Sequence, residues 1–403
     1  MSYSKILIQK QQRLFLTKPN PRFMSEFASF YAYADKVALE GCGTEIGIKR
    51  TEEDGCVQPY QRRCKNPKCP ICATARKEEQ VADIVKWVSD FYNRLNTIAL
   101  VVLMATFTVP KDIGERIRTY KDVEDLRKIA WSIVSDVFGG YGGQKVSVSP
   151  KQKKVNRYLL AGWPAPQFWP SYYRTKPGNV FKGAHWHVHV PFLNVKFDRL
   201  GSMVALTGPV EGTFEEIRVG WSYKEYAALM AWMAQLWTEM VEARFGKSSF
   251  VADGKVGPHG FESHWDVNLE WADGVKGLRK YLPYAFRGPI QDAYREVVYN
   301  KTSPSQEQYD AFEGNWSLFH HKKAWASAGW IQDSVRNDYL AKVGLSLKPR
   351  KERVRELRRT FCKHGFEFKV DRFEAMSWED AESCGLVTLT ADKSGGWMDG
   401  RGG

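Results

Sequence analysis

No stretch of this sequence is apolar for long enough to cross a membrane; the best run, Ile98 to Met104, falls far short of the roughly 20 residues a spanning helix needs. The opening residues, Met1 to Lys10, contain neither an apolar h-region nor a small-residue cleavage site, so no secretory signal is expected and a cytoplasmic location is. No repeat recurs along the chain. Cysteine is scarce, seven in 403 residues, and five of the seven crowd between Cys42 and Cys72. Such clustering suits a metal knuckle better than a disulfide framework. Acidic residues are outnumbered, 46 Asp and Glu against 59 Lys and Arg, and the resulting charge of +13 favours a polyanionic partner. The length has room for two or three domains. Fifteen Trp, 22 Phe and 18 Tyr supply core mass and candidate platforms for stacked bases.

The residues richest in chemistry are His185-Trp186-His187-Val188-His189-Val190. Successive side chains of a strand point to opposite faces, so the three imidazoles share one face while Trp186, Val188 and Val190 take the apolar one. Neutral imidazole is the commonest protein ligand for a divalent metal, and neighbours two apart on a strand, about 7 Å, can close on one ion. His185, His187 and His189 are therefore candidate ligands. A second metal is expected at Cys64-x4-Cys69-Pro70-Ile71-Cys72, whose tight spacing lets thiolates converge tetrahedrally on Zn2+. For the fourth ligand Cys42, in a Gly-Cys-Gly turn, competes with Cys56, and Cys42 is preferred. Cys362 and Cys384 read as packing residues.

Hydrophobic periodicity orders the rest. A helix is expected from about Ala73 to Leu95, a buried strand from Thr97 to Val109 closing on Thr106-Phe107-Thr108, and a helix over Lys121 to Phe138 before a glycine-rich breaker. Ser222 to Phe245 reads as an aromatic-rich helix and Ser263 to Trp271 as a strand. A helix opening at Asp273 or Gly274 then runs toward Pro283, which should kink or end it. That helix carries Lys280-Tyr281 and, three residues on, Tyr284 with Arg287. Adjacent cations favour a phenolate and also hold a phosphate, which suits a tyrosine that attacks phosphorus. Basic helical pieces such as Lys348 to Arg359 lead to a glycine-rich tail.

In this order, the cysteine knuckle, Thr-Phe-Thr strand, alternating histidine strand and basic tyrosine helix resemble the HUH endonucleases. Within them the chain is similar to rolling-circle replication initiators of small plasmids and to rolling-circle transposases. His187-Val188-His189 matches the family's metal strand, Lys280-Tyr281 its nucleophile, and Cys64-Lys65-Asn66-Pro67-Lys68-Cys69-Pro70-Ile71-Cys72 its amino-terminal zinc module. The likeness spans about Cys42 to Ile290. It implies an α+β fold, a central antiparallel sheet flanked by helices, with residues 1–76 carrying a four-cysteine zinc module (Cys42, Cys64, Cys69, Cys72). A nuclease domain would follow over 77–300, with a helical insertion at about 200–250, and then a basic region over 301–403.

The resemblance also implies Mg2+ or Mn2+ at the histidines and nicking and joining of one DNA strand through a 5′-phosphotyrosine. The DNA would be single-stranded or cruciform, at an origin or an element end, with host helicase and polymerase as further partners and no membrane. Tyr281, after Lys280, matches the initiators and is expected to cut first; Tyr284, with Arg287 one turn on, matches the transposases and would resolve the strand. The family's Glu one turn before the nucleophile is missing, its places being held by Gly277 and Lys280. An acidic third metal ligand is missing too, because no Asp or Glu occurs from Val155 to Ala184. Gln167, His185 or a distant residue would complete that shell. A non-catalytic DNA-binding protein with a zinc module is the reading from another class.

Overall fold

The structure is a computed structural model and describes residues 16–17, 41–50, 57–66, 69–95, 99–139, 160–175, 178–197, 203–205, 223–249, 256–257, 260–261, 267–288, 318–319, 324–332, 336–342, 344, 372–383 and 387–388. Cys56, Cys362, Cys384 and the basic segment 348–359 lie outside them. The chain divides into two units, one formed by Met1–Ile84, Gly288–Phe312 and Lys348–Gly403, the other by Val85–Arg287 and Glu313–Leu347.

The first unit contains a three-stranded antiparallel sheet in which Ile46–Arg50 lies between Val57–Gln61 and Arg372–Ala375. Helix α1, Pro70–Leu95, starts here, and the boundary between the units falls inside it. Proline at the first helical position costs nothing, since its missing N–H would have no partner there.

The second unit is built on an antiparallel sheet of six strands: β1 (Val101–Thr108), β2 (Ala161–Gly162), β3 (Ala165–Thr175), β4 (Gly178–Leu193), β5 (Val267–Asp273) and β6 (Ala328–Gly329). The order is β5-β1-β4-β2-β6, with β3 also pairing with β4. Alternation gives the sheet two unlike faces. On one, Ala105 and Phe107 of β1 join Trp186, Val188, Val190 and Phe192 of β4 in the core, beneath helices α2 (Tyr120–Gly139) and α3 (Tyr223–Phe245). Each large apolar side chain buried there contributes about 1.5–3 kcal/mol. The Trp237 indole of α3 packs on Phe107 and donates to the Thr108 carbonyl at 2.8 Å, which holds the end of β1.

The end of the β1–β4 ladder is tied down by a buried amide. Asn194, just past β4, donates to the Ala99 carbonyl at 3.0 Å and accepts from the Val101 N–H at 3.1 Å and the Tyr92 hydroxyl at 2.7 Å. The opposite face of the sheet receives helix α4, Gly274–Ala285, directly after β5. Gly274 makes the reversal at φ +59° and donates to the Leu100 carbonyl at 2.7 Å. At Gly277 a Cβ would collide with the Ala272 carbonyl, so the helix lies closer to its own strand than any side chain there would permit. Pro283, expected to kink or end the helix between the two tyrosines, does not end it there. It falls in the last turn, where its ring forfeits one hydrogen bond, and the Phe286 N–H still reaches the Leu282 carbonyl at 2.9 Å.

Candidate active site and metal centres

Register determines what the histidines meet. Across the β1–β4 ladder Thr106 lies opposite His189 and Thr108 opposite His187; on the other side of β4, Ala165 is opposite His189 and Gln167 opposite His187. Directly opposed residues on one face lie within reach of each other. Thr106 Oγ1 is 3.0 Å from His189 Nδ1 and Thr108 Oγ1 is 3.1 Å from His187 Nδ1. With the proton on Nδ1, each ring donates to its threonine and Nε2 becomes the nitrogen a metal would take. The two rings stand nearly parallel, 12° apart, with centroids separated by 6.2 Å. Burial, with the charges of His187 and Arg287, holds His189 well below the usual imidazole range, so it is neutral at pH 7. Two such imidazoles could supply two of a divalent ion's ligands. For His185 the structure describes only the backbone, which pairs with Trp169.

Helix α4 brings its two tyrosines to different surroundings. Tyr284, half-buried, meets His189 edge to face at 4.7 Å between ring centroids, and the Arg287 guanidinium lies 4.2 Å above its ring. Arg287 also donates from Nε to the Tyr284 carbonyl at 3.2 Å. Just past the helix, Phe286 stacks on Trp325 with the rings 4.1 Å and 5° apart.

Tyr281 is 1% exposed and turned inward. Its hydroxyl has no hydrogen-bond partner among the described residues. Burial pushes its phenol above the ordinary value, and the neighbouring Glu270 carboxylate adds to the shift. Lys280 lies 4.9 Å from the Tyr281 ring and pairs with Glu270 at 3.5 Å. Sequence grouped the two tyrosines and two cations together; the structure places Tyr284 and Arg287 beside the histidines and turns Tyr281 and Lys280 toward Glu270. Gln167, which sequence left among several candidates for the third ligand, has both its donors on helix carbonyls.

In the first unit the four expected cysteines converge. Gly43, at φ +80°, turns the chain after Cys42, and its N–H donates to the Arg62 carbonyl at 2.8 Å, which brings Cys42 beside Cys64. Lys65 takes a left-handed conformation at φ 60°, bending the knuckle. Cys69 then accepts the first helical bond of α1, from Ala73, and Cys72 lies within its first turn. Sulfur separations are 3.4 Å for Cys69 and Cys42, 3.7 Å for Cys42 and Cys72, and 3.8 Å for Cys64 and Cys72, and all four lie within 4.8 Å of one another. A zinc tetrathiolate with Zn–S near 2.3 Å has edges of about 3.8 Å, close to these three separations, so the four could hold a metal. Hydrogen bonds from Cys42 and Cys69 hold the Cys72 thiol down, to about 2, while the contact with Cys42 keeps Cys69 well above the usual thiol value. A central cation would let all four ionise.

No helix among the described residues is long and apolar enough to cross a membrane. No family model matches the chain, and no curated protein matches it. Among solved structures the chain is similar to the conjugative relaxase TrwC in a metal-bound complex with oriT DNA, at 12% identity over 66% of this chain and 72% of that one, with a TM-score of 0.17.

Proposed function

We propose that the protein is an HUH endonuclease that nicks and rejoins one DNA strand through Tyr284, in the initiation of rolling-circle replication. The observation that carries this reading is the juxtaposition of His187 and His189, each held by a threonine, with the Tyr284 ring 4.7 Å from His189 under the Arg287 guanidinium. Mg2+ or Mn2+ bound by the two imidazoles would polarise the scissile phosphate. The Tyr284 oxygen forms a bond to phosphorus, the bond from phosphorus to O3′ breaks, and the phenolic proton is passed on as the 3′-hydroxyl is released. Arg287 offsets negative charge at the phosphate. The basic charge of the chain and its four-cysteine zinc module would add DNA contacts whose strength falls with salt. On this reading Tyr281 is a core residue and does not make the first cut.

The same observation favours a second reading, a rolling-circle transposase, because Tyr284 with Arg287 three residues on is the arrangement similar to those enzymes. Single-stranded oligonucleotides from the DNA flanking the gene, incubated with Mn2+ and run on a denaturing gel, are expected to give a covalent adduct with the wild-type protein and none with Tyr284→Phe. An adduct that persists in Tyr284→Phe overturns the assignment. Origin sequence as substrate supports the initiator, and element ends support the transposase.

A further inference from the structure

We propose that Gln167 is a positioning residue: it fastens the carboxy-terminal end of the tyrosine helix to the strand beside the histidines, and so sets where Tyr284 stands relative to them. Its activity readout rests on the nicking reading above, whereas its structural readout does not. Gln167 is 2% exposed and sits on β3 directly opposite His187. Its Nε2 donates to the Tyr284 carbonyl at 2.7 Å and the Ala285 carbonyl at 2.9 Å. Two carbonyls can be met only by the amide nitrogen, so the acceptors fix the orientation of the group. Oε1 is thereby turned toward Arg287, whose Nη2 is 3.5 Å away.

The last carbonyls of a helix have no donor within the helix and are met by water or by a cap. Here the Leu282 carbonyl is met by the Phe286 N–H; that of Tyr284 is met by the Arg287 N–H at 3.5 Å and the Arg287 Nε at 3.2 Å as well as by Gln167, and that of Ala285 is met by Gln167, a side chain from the sheet. Burying an amide for packing alone is costly unless its hydrogen bonds are made, and every polar atom of Gln167 has a partner. One residue therefore joins three parts: the ladder that holds His187, the backbone that carries the Tyr284 side chain, and the guanidinium over the Tyr284 ring. A ligand role for its oxygen would compete with Arg287.

The experiment compares the wild-type protein with Gln167→Met, which keeps most of the volume without donor or acceptor, and Gln167→Glu, which keeps the shape and turns an oxygen toward two carbonyls. Single-turnover adduct formation is expected to fall about 100-fold in both, the scale of a 1 Å misplacement, while oligonucleotide affinity by fluorescence anisotropy stays near wild type. Without DNA, hydrogen exchange at the Phe286 and Arg287 amides is expected to accelerate while exchange in β4 does not. Gln167→Glu carries the same comparison if Gln167→Met fails to fold. Wild-type rates with unchanged exchange overturn the proposal, as does a rate loss that only tracks the loss of folded protein. If Tyr284→Phe retains the adduct, the nicking reading fails, and the exchange measurement still decides whether Gln167 holds the helix end.

Discussion

Removing the Tyr281 hydroxyl separates the two tyrosines most cleanly, because the structure assigns opposite outcomes to one small change made three residues apart. Tyr281 is 1% exposed and its hydroxyl has no hydrogen-bond partner among the described residues. A buried unpaired polar group costs about 1–3 kcal/mol, and Tyr281→Phe removes it while keeping the ring that lies against Lys280. The variant should be more stable by about that amount. For a domain of 150–250 residues each kcal/mol moves Tm by about 2–4 °C, so a rise of about 2–12 °C is expected in calorimetry. Its adduct yield should match wild type. Tyr284→Phe, by contrast, should change Tm little and abolish the adduct. A Tyr281→Phe protein that melts lower, or that no longer forms the adduct while Tyr284→Phe still does, refutes the reasoning.

Replacing His187 and His189 together with Ala should abolish Mn2+-dependent cleavage while circular dichroism and zinc content stay unchanged, since both rings lie on the face away from the core. Thr106→Val keeps the shape of the side chain but leaves His189 Nδ1 without its 3.0 Å partner, and Mn2+ affinity by titration should weaken about 10- to 100-fold. Purified protein should contain one zinc by elemental analysis, and Cys69→Ser or a strong chelator should unfold the first unit, because a structural zinc contributes on the order of 10 kcal/mol. Asn194→Ala leaves the Tyr92 hydroxyl, the Val101 N–H and the Ala99 carbonyl without their partner, and should lower stability in urea by about 2–4 kcal/mol.

Much of the scaffold was legible in the sequence because its elements announce themselves by period. The helices over 70–95, 120–139 and 223–245 and the strand over 101–108 lie within a few residues of where apolar spacing and breakers put them. The cysteines were legible for a different reason, since knuckle spacing fixes thiolate convergence locally, and among the described residues Cys42 lies with Cys64, Cys69 and Cys72. What spacing cannot give is the phase of a helix against a sheet. Residues three apart on a helix differ by about 60° around its axis, enough to separate a core position from a site position. Lys280 before Tyr281 suggested the lead nucleophile; in the fold Tyr281 lies near Glu270 and Tyr284 beside His189. Gly277 stands where the family resemblance would place a catalytic Glu, and the reason is the approach of the Ala272 carbonyl, a contact made only in the fold. The threonines were visible as a motif, but their pairing with particular histidines depends on a ladder between strands about eighty residues apart in sequence.

The alternation along β4 has a consequence for how this site can be lost. Trp186, Val188 and Val190 are core residues on the same strand as His187 and His189. A shift of the ladder by a single residue would exchange the two sets, sending imidazoles into the apolar core and an indole onto the face that α4 covers. Sliding is therefore forbidden by the same apolar contacts that hold the unit together. The chemistry cannot drift along the strand while the protein stays folded; it can disappear only by substitution, one histidine or threonine at a time, on a frame that would outlast it.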